Sequence, residues 1–257
     1  MEIMQTESRR TKESGNVLFL ILIAVALFAA LSYAVTQSSR SGSGEATGEK
    51  SLISGAEVTQ YPAGVRTDII RMMIDNNISV DQLEFNPPSE FGSLTASAGK
   101  HTRGVFHPEG GGAVYQLASP SVMDNDVAGK WYFNADFVIA NIGTTTTADS
   151  SGNEMIAFLP GVKQLVCQKI DDQLGIASNP IPTVAIAAAT FEHTQGTGAG
   201  AEYELFAAAP AGTQCLNTAA CAPGTNPAGV FAGQPFGCFQ TNDGTPVYVY
   251  YHVLLER

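Results

Sequence analysis

The chain has 257 residues and weighs 27.0 kDa, room for one domain or two small ones. Hydrophobic residues supply 44 % and charged residues only 14 %, a composition that builds a packed core and excludes wholesale disorder. The 24 acids outnumber the 13 bases for a formal charge of −11, so the basic footprint that phosphates require is missing and nucleic acid is not an expected partner.

The first element is the apolar run VLFLILIAVALFAALSYAV at residues 17–35, which holds no charge, Gly or Pro. As a helix it spans about 28 Å, close to a bilayer hydrocarbon core. The expectation is a transmembrane helix over residues 16–40. Arg9, Arg10 and Lys12 precede it, while Arg40 and Lys50 follow it. That imbalance, with all four cysteines on the far side, places a leader of residues 1–15 in the cytoplasm and the remainder in the periplasm or outside the cell. Three fates are open for the segment. It is a cleaved secretory signal ending at Ser32-Tyr33-Ala34, an uncleaved signal anchor, or a prepilin-type leader cut beside a small residue.

Arg9, Arg10, Lys12, Gly15 and the apolar run from Val17 resemble the start of the type IV pilin and type II secretion pseudopilin superfamily. The likeness covers roughly residues 9–40. It implies cleavage by a prepilin peptidase after Gly15, leaving Asn16 as the new N-terminus. It further implies anchoring in the inner membrane and later packing of the apolar helix among sister helices in a filament. Two positions depart from the family pattern. Asn16 stands where an apolar residue is usual, and Leu20 stands where most members have Glu. That Glu offsets the cost of an unpaired amine in an apolar filament core. Minor pseudopilins that lack it sit at the tip.

Residues 36–50, TQSSRSGSGEATGEK, are polar and small, as in a linker or a partly melted stalk. Val65, Ile69, Met72 and Met73 then recur at helical spacing. Residues 41–78 are therefore expected as a linker and an amphipathic helix, with Pro62 as a break or kink and Asn76-Asn77 as the stop.

The head, residues 79–257, carries six of the bases and sixteen of the acids. Short runs at 104–107 and 113–117 flank Pro108-Glu109-Gly110-Gly111-Gly112 and predict a hairpin. Residues 130–141 predict a strand. Residues 160–175 predict a helix starting at Pro160, with an apolar stripe of Val162, Leu165, Val166, Ile170 and Leu174 and a Gly175 cap. Further strands are expected at 183–191, 202–208 and 247–255. The turn Asn242-Asp243-Gly244 makes 237–241 and 247–255 a closing hairpin. The fold class is α+β: the N-terminal transmembrane helix followed by a mainly antiparallel β head with one or two packing helices.

Cys167, Cys215, Cys221 and Cys238 allow three pairings. Cys215 with Cys221 would close a small loop, and Cys167 with Cys238 would staple the helix to the final hairpin. Their spacing does not supply a zinc motif. His101, His107, His193 and His252 show no HExxH and no i, i+4 pair, so each is read as structural or exposed rather than catalytic. No catalytic residue, cofactor or enzyme activity is expected. Calcium is a weak candidate ligand, through Asp124 and Asp126 in one acidic loop and Asp149 and Glu154 in another. The functional expectation is a pilin-like or minor pseudopilin subunit, whose partners are sister subunits, inner-membrane lipid and prepilin peptidase. The alternative is a signal-anchored periplasmic or cell-surface binding module. A secreted hydrolase has the least support.

Overall fold

The computed structural model describes residues 14–94, 100–124, 127–143, 153–184, 191–192, 194, 214–215, 229–242 and 244–256. Within its first helix, side chains are described for residues 18–33 and from 53 onward. Contacts divide the chain into two compact units, at Glu49 and Lys50.

Helix α1 runs over Ser14–Asn76 without interruption. The polar stretch 36–50, expected as a linker, continues this helix, and Pro62 lies inside it. The transmembrane helix expected over residues 16–40 is corrected by the structure. Among the described residues no helix is long and apolar enough to cross a membrane. The apolar run belongs to a longer helix that carries on into polar sequence.

The second unit is α+β. Strands β1 (Tyr132–Val138), β2 (Glu154–Pro160), β3 (Gln214–Cys215), β4 (Phe236–Gln240) and β5 (Tyr248–Leu255) stand in the order β3-β1-β2-β5-β4. The four strands β1, β2, β5 and β4 pair antiparallel, and the short β3 lies parallel to β1. Helix α2 (Gln164–Leu174) follows β2.

Period-2 alternation sorts the strand residues into two apolar clusters. Met155, Ala157 and Leu159 of β2 join Tyr250 and Leu254 of β5 in the first cluster. Ile156 and Phe158 join Val249, Tyr251 and Val253 in the second. In β1 the bulge between Asn134 and Phe137 resets the alternation. Phe133 and Ala135 therefore fall in the first cluster and Phe137 in the second. The first cluster is completed by Val58, Val65, Ile69 and Met72 of α1 and by Val166, Cys167 and Ile170 of α2. Both helices thus bury their apolar stripes with the same set of strand residues. Phe191, Phe231 and Phe239 help to fill the second cluster.

Several expectations change. Pro160 ends β2 instead of opening α2, which begins after Lys163. Leu165 is 54 % exposed and leaves the stripe, whereas Asp171 is fully buried. Gly175 caps α2 in the left-handed conformation, φ 70°, as its glycine suggests. The segments 104–107 and 113–117 do not form a named hairpin. Gly111 and Ala113 donate to Gly104 and Val105 carbonyls at 2.9 and 3.0 Å, closing a compact loop instead. The expected strand 202–208 lies outside the described residues, as does 185–190 of the strand expected at 183–191.

Candidate functional site

The largest exposed apolar surface among the described residues is on α1. Leu18, Phe19, Leu20, Ile21, Leu22, Ile23, Val25, Leu27, Phe28, Leu31 and Tyr33 are 40–72 % exposed. These residue types form a good helix, and nothing described in their own unit covers them. Scattered exposed apolar residues are ordinary, but a contiguous series marks a binding surface. Leu20 is 59 % exposed. Gly15 and Asn16 fall in the first turn of α1, with side chains outside the described set; Arg9, Arg10 and Lys12 lie outside the described residues.

In the second unit, Cys167 of α2 and Cys238 of β4 are joined by a disulfide, S–S 2.05 Å and Cα–Cα 5.2 Å. Cys221 and the side chain of Cys215 lie outside the described residues. Beside the disulfide, Asp171 Oδ1 accepts the backbone N–H of Cys238 at 2.9 Å. Burial pushes the Asp171 carboxyl up to about 7, opposed by that hydrogen bond and reinforced by Asp172. His252, hydrogen-bonded at Nδ1 to the Tyr250 hydroxyl at 2.8 Å, is driven down to about 4 by burial and then by Arg66. Both groups are buried, at 0 % and 8 % exposure, and their displacement follows from that burial.

The calcium candidates do not assemble. Glu154 is fully buried as the first residue of β2, and its Oε2 accepts the N–H of Ile139 at 2.9 Å. It is therefore a strand-end anchor and not part of a solvated acidic loop. Asp124 is exposed, and its N–H donates to the Gly161 carbonyl at 2.7 Å. Asp126 and Asp149 lie outside the described residues.

The structure does gather a set that the spacing rules passed over. The His101 and His107 rings stack with centroids 4.3 Å apart and planes 20° apart. His101 Nδ1 meets Glu109 Oε2 at 3.2 Å, and the Glu109 backbone N–H donates to His107 Nδ1 at 3.2 Å. The side chains of His101, His107 and Glu109 offer ligand atoms all within 4.8 Å of one another. The one signal in the sequence was the Pro-Glu-Gly-Gly-Gly turn after His107, which folds Glu109 back on the ring that precedes it.

Comparison of this chain with family models, with curated proteins and with solved structures found no match.

Proposed function

We propose that this chain is a pilin-like or minor pseudopilin subunit, a structural and assembly component of a type IV pilus or type II secretion filament. The observation that carries the reading is the series of exposed apolar side chains at residues 18–33, displayed on a helix. Burying such surface against the same helix of sister subunits gains roughly 25 cal/mol for each Å² removed from water. The basic, glycine-ended leader of the sequence adds a processing step at Gly15–Asn16. Leu20 in place of Glu suits a tip or initiating position, where no neighbouring amine has to be neutralised. The partners in this reading are sister subunits and prepilin peptidase. The disulfide-stapled α+β unit acts as the head in the periplasm or outside the cell.

The test is the intact mass of the native protein, expressed with and without prepilin peptidase. A chain starting at Asn16 only when the peptidase is present is the expected result. A chain that keeps its leader contradicts the reading and favours an anchored binding module. A chain starting at Val35 contradicts it in favour of secretion.

A further inference from the structure

We propose that His101, His107 and Glu109 form a site for a borderline divalent transition metal such as zinc, with Nδ1 of each imidazole and Oε2 of the carboxylate as ligands. This inference is independent of the filament reading.

Two imidazoles and a carboxylate suit zinc-type ions, whereas calcium takes oxygen ligands alone. A tetrahedral ion with bonds of about 2.0–2.1 Å needs ligand atoms about 3.3 Å apart. His101 Nδ1 and Glu109 Oε2 already stand 3.2 Å apart. His107 Nδ1 accepts the Glu109 backbone N–H at 3.2 Å, so it carries no proton, and ligation exchanges this hydrogen bond for the metal bond on the same lone pair. Within the whole set no ligand-atom pair exceeds 4.8 Å, a gap that small ring rotations close. His101 has to move its Nδ1 proton to Nε2, after which the atom that now donates to Glu109 becomes a ligand. Water completes the coordination at this half-exposed position.

The backbone fixes the three ligands before any ion arrives. Gly110 and Gly112 donate to the His107 carbonyl at 2.9 and 3.0 Å, and His107 and Gly111 donate to the Gly104 carbonyl at 3.2 and 2.9 Å. The approach is so close that a Cβ on Gly110 would lie 2.1 Å from the Gly104 oxygen. Two side chains of α1 tie the loop down: Arg71 Nη2 donates to the Gly111 carbonyl at 2.8 Å and Asn76 Nδ2 to the Thr102 carbonyl at 3.0 Å. The Phe91 ring packs edge-on against His107, with centroids 4.8 Å apart. A loop held this firmly loses little further entropy on metal binding.

The experiment uses the full chain stripped with a chelator and titrated with Zn²⁺ by calorimetry and with Co²⁺ by visible absorption. One equivalent with a tetrahedral Co²⁺ spectrum is expected for the wild type. His107→Ala and the nearly isosteric Glu109→Gln should each weaken binding on the order of 10-fold to 100-fold. Glu109 is largely exposed, so Glu109→Gln keeps the unfolding midpoint and separates lost ligation from lost folding. Failure of the wild type to bind either ion overturns the proposal. So does binding that persists unchanged in the His101→Ala/His107→Ala double variant, which would place the ion elsewhere. Saturation by Ca²⁺ that is equally sensitive to these substitutions overturns the assigned metal class.

Discussion

Two stretches of α1 carry the same kinds of side chain in opposite surroundings. Ile21 and Leu27 are 59 % and 65 % exposed, while Val65 and Ile69 are 2 % and 0 % exposed. The later stretch is amphipathic and buries its stripe with Phe133, Leu159 and Tyr250 in the first cluster. The earlier stretch is apolar all round, so no single face could satisfy it. A helix of that kind is stable only when covered on many sides. The contrast teaches that apolar content alone does not distinguish core from interface; the distinction lies in which faces are polar.

The sharpest way to break the comparison is one substitution made in both stretches. Ile69→Ala should cost about 2–5 kcal/mol of unfolding free energy by leaving a cavity in the core. Ile21→Ala should stay within about 0.5 kcal/mol in the dispersed subunit. Urea unfolding of the two variants checks this, and equal losses would mean that residues 18–33 are packed into the fold.

The disulfide strengthens the head side of the comparison only. It closes a loop with a sequence separation of 71 between α2 and β4. Removing it by Cys167→Ser/Cys238→Ser should lower stability by about 2–4 kcal/mol, measured by the same unfolding, and should leave subunit association unchanged in cross-linking. An unaltered midpoint would contradict a structural role for the bond.

A smaller effect separates the buried from the exposed charges of α2. The folded-state value for Asp171 is raised to about 7, because burial disfavours its anion. A raised acid binds its proton more tightly in the folded state. The cost of ionising it is therefore absent below the unfolded value near 4, grows through pH 4–7, and is complete above about 7. Asp171→Asn, whose amide oxygen can still accept the Cys238 N–H, should flatten the decline in stability between pH 5 and 8. A wild-type profile already flat there would contradict the burial of an ionisable carboxyl. By contrast, the exposed Lys169–Asp172 pair, 3.3 Å apart, should be worth under about 1 kcal/mol. The melting temperature of Lys169→Ala should move little, and less still in high salt.

Much of the second unit was legible in its sequence wherever one rule acted locally. The Gly175 cap, the stripe Val65, Ile69 and Met72, and the hairpin of β4 and β5 each follow from a short pattern. The central strand β2 was not legible, because residues 155–159 are apolar on both faces and show no alternation. The bulge in β1 and the burial of Glu154 depend on partners distant in the chain. The His101–His107–Glu109 set escaped for a related reason. Its spacing of six and two residues matches no helical or strand period, and only the close approach of Gly110 to Gly104 brings it together. The transmembrane expectation had the opposite fault. It rested on the hydropathy of residues 17–35, whereas among the described residues no helix is long and apolar enough to cross a membrane.

The central claim is that residues 18–33 are covered by other copies of the same helix. It is tested most directly by photo-cross-linking from a reactive residue placed at Leu22, with Ile74, which is equally apolar and 74 % exposed, as the comparison position. The account predicts covalent dimers and higher multimers joined through Leu22 and few or none through Ile74. Cross-links from Leu22 that stay within one chain, or none at all in the assembled native protein, would contradict it.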